Sequence, residues 1–252
     1  MTTGHFLNLS DAELDQHIYR IMPQEYVFSL FSDRQNVLNR IHNWKDKFEN
    51  FQLKLGGTLD GKRFDFAFRD AFVGQCWTRD AYSEAMWGIY ANNISKRFLR
   101  IRSTPRKLLE ALAAAHPTMP QDTCFLGKVS YKTESKLKAY ALKGGLLELS
   151  PLKFAEALLL KRYAFRHERE VRLLYFSDTG HQDVRGLYRY NFDPHITITQ
   201  IIADPNRDRS SWAADKEKIK RETGFVGMIK RSMIYDPPSW AAPKYSSLDP
   251  KA

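Results

Sequence analysis

The segment KRYAFRHEREVRLLYF, residues 161–176, carries the strongest strand pattern of the chain. From His167 onward, apolar and charged residues alternate, as they do along a strand with one buried face. The apolar positions are Val171, Leu173 and Tyr175, and the charged positions are Glu168, Glu170 and Arg172. The apolar row predicts a strand that packs its sheet against a core.

The charged side of this strand predicts the functional site. Neighbouring carboxylates repel each other, so they persist only where a cation, a metal or a substrate offsets their charge. Glu168 and Glu170 are therefore candidate catalytic residues. The alternative is a solvent-exposed strand face whose charges are balanced by Arg166 and Arg169, which would contribute little to stability.

The composition favours one domain with an anionic partner. The chain has 252 residues, of which 43% are hydrophobic and 13% aromatic, enough for one sizeable core. Lysine and arginine number 39 against 29 acidic residues, giving a net charge of +10. This excess favours nucleic acid or a nucleotide as the partner, and a merely basic surface explains it equally well.

Cysteine usage and hydropathy indicate a reduced, cytoplasmic protein. Cys76 and Cys124 cannot make a disulfide framework, and no Cys or His pair has the spacing of zinc ligands, so we expect no structural metal. Residues 1–15 are polar and lack the apolar stretch of a secretion signal. No apolar run reaches membrane-spanning length, so we expect no membrane partner.

Helix starts are well marked in the sequence. Ser10 with Glu13 has the capping-box pattern, and Ser83, Thr104-Pro105 and Ser150-Pro151 are typical caps. The predicted helices cover 83–93, 106–116, 133–143, 152–162 and 210–222, the last closed by Gly224. Helical spacing also runs from Val27 to Phe31 and from Val37 to Trp44.

Strands are predicted at 18–22, 98–103, 125–131, 171–176, 196–203 and 226–235. Turn residues at Gly56-Gly57 and Asp60-Gly61 flank a further short strand pair. Strands and helices do not alternate strictly, so the fold class is α+β, with a central, mostly antiparallel sheet. We expect a single domain over 1–238 and a flexible tail over 239–252, which is rich in Pro and Ser.

Several motifs resemble one bacterial family of unknown function that is similar to abortive-infection proteins. They are Trp44-x-Asp46-x-Phe48-Glu49, Gly74-Gln75-Cys76-Trp77-Thr78, Ala85-Met86-Trp87-x-x-Tyr90 and Lys161-Arg162-x-x-Phe165-x-x-Glu168-x-Glu170-Val171-Arg172. The likeness runs from Tyr26 to Pro238. It departs after Tyr90, where relatives tend to have glycine and this chain has Asn92-Asn93. The resemblance implies a role in phage defence.

Parts of the chain also resemble mono-ADP-ribosyltransferases. Glu168-x-Glu170, leading into an apolar strand, is similar to their catalytic motif, and Tyr19-Arg20-Ile21 is similar to their first, arginine-bearing strand. This resemblance implies an ADP-ribosyltransferase-like fold and NAD as substrate. Glu170 would stabilise the positive charge that develops on the ribose as nicotinamide leaves. Glu168 would orient or deprotonate the acceptor.

The same resemblance assigns further residues to NAD. Arg20 and Arg102 would bind the pyrophosphate through bidentate contacts. Trp87 and Tyr90 lie one helical turn apart and would enclose the nicotinamide ring, with Tyr90 grouped with the catalytic residues; core packing is the alternative for both. The remaining candidates for NAD binding are Trp77, Thr78, Ser83 and Ser103.

Basic residues interleaved with aromatic ones suggest where a nucleic-acid acceptor binds, with RNA favoured. The candidates are Lys96, Arg97, Arg100, Arg106, Lys161 and Arg162. Lys216, Lys218 and Lys220 form another basic row on the late helix, where a solvated helix face explains them equally well.

Two alternatives to a transferase remain. One is a metal-dependent nuclease in which Asp46, Glu49, Glu168 and Glu170 hold Mg²⁺. Against it, arginine stands at 172, where a nuclease motif would have lysine. The other alternative is a non-catalytic nucleic-acid-binding module. The sequence favours an NAD-dependent mono-ADP-ribosyltransferase toxin, acting on nucleic acid in phage defence and restrained by a cognate antitoxin.

Overall fold

The computed structural model describes residues 4–41, 44, 57–64, 71–93, 95–117, 123–142, 150–177 and 186–238. The strands are β1 (Gly4–Leu7), β2 (Ile18–Pro23), β3 (Gln35–Arg40), β4 (Gly57–Leu59), β5 (Lys62–Phe64), β6 (Phe72–Thr78), β7 (Phe98–Ser103), β8 (Cys124–Lys128), β9 (Ser130–Lys132), β10 (Leu160–Arg162), β11 (Glu170–Phe176), β12 (Leu187–Asn191), β13 (Gln200–Ala203) and β14 (Met228–Arg231). The helices are α1 (Asp11–Leu14), α2 (Gln24–Ser32), α3 (Glu84–Tyr90), α4 (Pro105–Ala114), α5 (Glu134–Leu142), α6 (Pro151–Leu158), α7 (Pro194–Thr197) and α8 (Trp212–Thr223), with a 3-10 helix at Tyr163–Glu168.

Ten of the described strands form one sheet. Its order is β1-β8-β11-β6-β2-β7-β13-β14, and β3 joins β6 and carries β12. Pairing within this sheet is antiparallel except between β1 and β8 and between β13 and β14. The predicted α+β class with a mostly antiparallel sheet is confirmed. The expected tail, 239–252, lies outside the described residues.

The sheet divides along one edge of β6. β3 pairs with β6 at Val73 and Gly74, whereas β2 meets β6 at its last residue, Thr78. β2 and β3 therefore separate from each other along this edge. The opening between them lies beside residues 75–77, in the middle of the sheet rather than at its margin.

Both faces of β11 are covered. Val171, Leu173 and Tyr175 lie in the larger apolar cluster, as the alternation predicts. Leu174 and Phe176 point the other way, into a second cluster that includes Phe154, Leu158 and Leu159. Every residue of β11 is consequently buried, including Glu170 and Arg172. The alternative of a solvated charged strand face is wrong for these two residues.

Helix caps fall where the sequence predicts them. The hydroxyls of Ser83, Thr104 and Ser150 each accept a hydrogen bond from the backbone N–H three residues later. The capping box of Ser10 and Glu13 is formed as well, with the Glu13 carboxylate accepting from the Ser10 backbone N–H at 3.0 Å. α8 ends at Gly224, which has φ 60°.

Parts of two stretches predicted as helix are strands instead. Residues 35–40 form β3, because Arg34 takes a left-handed conformation (φ 51°) after α2 and the Asn36 amide donates to Tyr190 Oη at 2.8 Å. The helix predicted over 152–162 ends at Leu158, and β10 follows it and pairs with β9. Both strands are stabilised by strand partners distant in sequence. The spacing of apolar residues within a segment contains no information about such partners.

Candidate active site

A cavity of about 480 Å³ opens where the sheet divides. β2 contributes Arg20 to its wall, the middle of β6 contributes residues 75–77, and α3 contributes Tyr90. The segment from β10 to the start of β11 supplies Lys161, Glu168 and Glu170. The cavity thus brings together groups from widely separated parts of the chain, and its size is typical of small-molecule sites.

Lys161 joins the two carboxylates. Its Nζ lies 2.9 Å from Glu168 Oε2 and 3.3 Å from Glu170 Oε2. All three side chains are buried. The ammonium offsets the repulsion between the two carboxylates, which is the counter-charge that their proximity requires.

Local backbone geometry produces this convergence. Glu168 ends the 3-10 helix, and Glu170 begins β11. Arg169 between them has φ 44° and ψ 49°, a left-handed conformation that turns the chain sharply. The two glutamates therefore meet because of a tight turn, and the prediction that they share one face of a continuous strand is wrong.

Glu170 is held in the ionised state. Arg172 donates to Glu170 Oε2 from Nη2 at 2.7 Å and from Nε at 3.2 Å, and the Cys76 thiol donates to the same carboxylate. Burial raises the pKa of Glu170, but Arg172 and Lys161 outweigh it and hold the pKa below its ordinary value. Arg172 is itself fixed by the Trp44 ring, 4.3 Å from its guanidinium carbon.

Arg20 is a cation without a carboxylate partner. Within the described ranges no acidic side chain pairs with its guanidinium, although it lines the same cavity as Glu170. Burial lowers the pKa of Arg20 to about 10, so the side chain remains charged at neutral pH. A half-buried cation that faces a cavity is suited to an anionic ligand, because a charge partly removed from water needs a counter-charge.

A hydrogen-bond chain fixes the β6 wall of the cavity. Gln75 Nε2 donates to Asn36 Oδ1 at 2.8 Å, and Trp77 Nε1 donates to Gln75 Oε1 at 2.8 Å. Thr78 Oγ1 donates to the carbonyl of Glu168 at 2.7 Å, which ties β6 to the 3-10 helix. The wall is therefore organised before any ligand arrives.

Tyr90 stands at the mouth of the cavity. Its side chain is 39% exposed, and its hydroxyl lies 3.5 Å from Glu168 Oε2. Phe165, on the opposite 3-10 helix, also lines the cavity and packs its ring 4.9 Å from Lys161 Nζ. Two aromatic side chains thus line the cavity.

Four residues expected to bind NAD lie elsewhere. Trp87 is buried in a small apolar cluster with Ile21, Met86 and Phe98, so its alternative, core packing, is the one observed. Ser83 caps α3. Arg102 donates to Thr199 Oγ1 at 2.9 Å, and Ser103 donates to the carbonyl of Thr197 at 2.9 Å. Of the other predicted residues, Arg20, Trp77, Thr78, Tyr90, Glu168 and Glu170 line the cavity.

The basic cluster expected to contact nucleic acid is largely neutralised. Lys96 pairs with Glu25 at 2.9 Å, Arg97 pairs with Asp215, and Arg106 binds both carboxylate oxygens of Asp15. Arg100 is buried, and its guanidinium lies over the Tyr19 ring at 4.7 Å. These side chains form intramolecular contacts that the spacing of charges along a sequence cannot reveal.

Lys161 and Arg162, also expected to contact nucleic acid, lie apart from this basic cluster. Lys161 lies inside the cavity rather than on the surface. Arg162 is half-buried, with Nη1 3.7 Å from Glu134 Oε1. Sequence reasoning missed Lys161 as the counter-ion of the glutamates, and it assigned no role at the site to Cys76, which borders the cavity.

For the expectations about metal and membrane, the structure gives findings on the described residues alone. Among them, no three His, Cys, Asp or Glu side chains are grouped as metal ligands would be. Asp46 and Glu49, invoked for a nuclease, lie outside the described residues. No helix in the described ranges has both the length and the apolar character needed to cross a membrane.

Comparison with known proteins gives a distant structural likeness. No protein-family model and no curated protein matches this chain. Among solved structures, the chain is similar to DarT of Thermus sp. 2.9, solved in complex with NAD⁺. The sequence identity is 10%, the TM-score is 0.36, and the match covers 86% of this chain and 96% of the DarT chain. A likeness this distant carries no functional argument. The functional argument rests on the site itself.

Proposed function

We propose that this protein cleaves NAD between nicotinamide and ribose and transfers the ADP-ribose to a nucleic acid. One observation carries the proposal: the Arg20 guanidinium, which has no carboxylate partner among the described residues, and an ionised carboxylate, Glu170, line the same cavity. NAD has a diphosphate that needs a cation and a ribose whose reaction needs an anion. These two requirements match the two groups.

The rest of the cavity supports this assignment. Its volume of about 480 Å³ lies within the range of small-molecule sites. Arg20 would bind the diphosphate through paired N–H donors. Tyr90 and Phe165 offer aromatic surfaces in the cavity, against which a planar base or nicotinamide ring can stack.

Each acidic residue has a separate role in the transfer. As the bond between C1′ and the nicotinamide nitrogen breaks, its electron pair leaves with nicotinamide and positive charge develops on the ribose. Glu170, ionised and fixed by Arg172, stabilises that charge. The acceptor's nucleophilic atom then bonds to C1′, and Glu168 takes the proton that this atom releases. Lys161 positions both carboxylates.

The nuclease alternative has weaker support. In a metal-dependent nuclease, Glu168 and Glu170 would share a divalent cation. Here Lys161 occupies the position between them, with N–O distances of 2.9 and 3.3 Å. A metal would have to displace a buried ammonium that already satisfies both carboxylates.

The biological setting follows from the sequence resemblance. An enzyme that modifies nucleic acid would be toxic to its own cell, so we propose a toxin of phage defence that a cognate antitoxin protein restrains. RNA is the favoured acceptor. Growth arrest on expression of the unaltered chain, and normal growth with an inactive variant, would support this role.

Substitution of Glu170 tests the chemistry. We expect Glu170→Gln to lower the rate of NAD cleavage by about 100- to 1,000-fold, because the ribose loses its stabilising charge. Nicotinamide release and transfer of labelled ADP-ribose to RNA measure the effect. Because the neutral amide leaves Arg172 without its counter-charge, circular dichroism must show that the variant is folded at the assay temperature.

A matched control is Glu156→Gln, since Glu156 lies on α6 and pairs with Lys153 at 3.0 Å. This variant should keep the wild-type rate. Unchanged NAD cleavage by folded Glu170→Gln would contradict the proposal. RNA that is shortened only without chelator, and that carries no label, would favour the nuclease.

A further inference from the structure

The segment that forms one wall of the cavity has two distinct faces. Its inward residues, Phe165 and Glu168, line the cavity, as do Lys161 and Glu170 at its ends. Its outward residues are exposed and form what we call the outer face: Tyr163, Arg166, His167 and Arg169. His167 and Arg169 are sequence neighbours of Glu168 and Glu170. A ligand on the outer face is therefore close to the two glutamates.

The cations of the outer face are available to a ligand. Within the described residues no carboxylate pairs with Arg166 or Arg169. The basic cluster near β7 differs, because Lys96 and Arg106 are engaged by Glu25 and Asp15. Unpaired cations beside a cavity attract a polyanion more strongly than cations that already have partners.

Exposed aromatic rings accompany these cations. Tyr163 is 52% exposed, and the Arg166 guanidinium lies 4.5 Å above its ring. Tyr82 is 87% exposed and lies in the loop after β6. That loop is joined to the outer face by a backbone hydrogen bond of 3.0 Å from Arg79 N to Arg169 O. The loop that carries Tyr82 is thus tied to the basic strip that carries Tyr163.

The combination of cations and exposed tyrosines favours a single-stranded nucleic acid as the ligand. Aromatic rings stack on the faces of bases, and these faces are accessible in a single strand but covered in a duplex. An acidic protein would use the cations but would leave two exposed tyrosines without a function. The row of Lys216, Lys218 and Lys220 on α8 is exposed as well, yet it does not line the cavity.

We infer that the outer face, together with Tyr82, binds a single-stranded nucleic acid and presents it to the cavity. This inference rests on the proposed function, because it locates the acceptor of that reaction. The phosphates contact Arg166 and Arg169, and bases stack on Tyr163 and Tyr82. An unstacked nucleotide then lies beside Glu168, the residue assigned to its deprotonation.

Binding of a labelled single-stranded RNA of about 12 nucleotides tests the inference, with fluorescence anisotropy at several salt concentrations. We expect Tyr163→Ala/Arg166→Glu to raise the Kd about tenfold or more. The slope of log K against log salt should fall by about 1, since a phosphate contact is lost. The matched control, Tyr26→Ala/Lys218→Glu, removes an exposed tyrosine and reverses an exposed lysine away from the cavity, and should bind as the unaltered protein does.

Three outcomes would overturn the inference. They are unchanged RNA binding by the folded double variant, equal weakening in the control variant, and displacement of the RNA by polyglutamate as effectively as by unlabelled RNA. Duplex RNA of the same length should bind more weakly. Nicotinamide release by the unaltered protein is measured separately: its absence contradicts the proposed function and leaves the binding result standing.

Discussion

At the scale of single residues, Arg20 and Arg172 show two ways of enclosing a guanidinium. Arg172 is fully buried but is matched by Glu170 and by the Trp44 ring. Arg20 lines the cavity without a carboxylate partner among the described residues. A partly desolvated charge without a counter-charge destabilises the free protein, and an anionic ligand would remove this cost.

Arg20→Met should therefore separate stability from binding. We expect the melting temperature of the ligand-free protein to rise by about 2–4 °C for each kcal/mol of relieved desolvation. The further rise that saturating NAD produces should be lost. Thermal denaturation with and without NAD measures both effects, and Arg189→Met, an exposed arginine of β12, serves as the control that keeps the NAD effect. An undiminished NAD effect in Arg20→Met would contradict the role of Arg20.

The sequence identified several of the charged residues that line the cavity, but it did not predict how they are arranged. Arg20, Glu168 and Glu170 were identified from residue type and order, and all three line one cavity. Lys161 was taken for a surface contact, because nothing in its spacing shows that a turn brings its ammonium under two carboxylates. Pairing of Lys96 and Arg106 was missed for the same reason: Glu25 and Asp15 are distant in sequence.

At the scale of elements, the left-handed residue between the 3-10 helix and β11 shapes the site. Arg169 has φ 44°, a conformation that glycine adopts freely and that β-branched residues resist. Its backbone is held on both sides, since its N–H donates to Arg166 O at 3.3 Å and its carbonyl accepts from Arg79 N at 3.0 Å. The turn is thus maintained by the surrounding structure rather than by the preference of arginine.

Substitutions at Arg169 should reveal how much the site depends on this turn. Arg169→Gly should keep NAD cleavage within about twofold, whereas Arg169→Val should destabilise the fold by about 1–2 kcal/mol and slow cleavage. Arg34, which also has a left-handed φ of 51°, provides the control. Arg34→Val should lose similar stability and retain cleavage. Equal cleavage by Arg169→Gly and Arg169→Val would show that the turn does not position the glutamates.

Helices were predicted more accurately than strands for a physical reason. Ser83, Thr104 and Ser150 satisfy backbone N–H groups within their own helices, so the pattern is local. β6, with the sequence FVGQCWT, is buried on both faces and shows no alternation, and it was not predicted. β3 was taken for helix because its pairing with β12 and β6 depends on residues far along the chain.

At the scale of the whole molecule, charge pairs tie α1 to the sheet. Glu13 of α1 accepts from Lys128 of β8 at 2.7 Å and lies 3.2 Å from Arg79, in the loop after β6. The hydrogen bond from Lys128 is the largest of several contacts that lower the pKa of Glu13 from its ordinary 4.5 to about 2. The N-terminal segment is thereby fixed to β8 and to the loop after β6.

Glu13 should give stability a defined dependence on pH. Because its pKa is lower in the folded protein, its contribution is complete above pH 4.5 and is lost as the pH falls towards 2. The difference in melting temperature between the unaltered protein and Glu13→Gln should shrink over that interval. Glu217→Gln, at an exposed position on α8, should show no such change. A constant difference down to pH 2 would contradict the role of Glu13.

The position of β11 has a consequence for biosynthesis. β11 lies between β8 and β6 and pairs with both, yet its first residue is Glu170, so it is made after both neighbours. A nascent chain that has not reached this point displays two strand edges that lack their shared partner. Such edges are templates for aggregation, so ribosome-bound intermediates of this protein should be natural clients for chaperones.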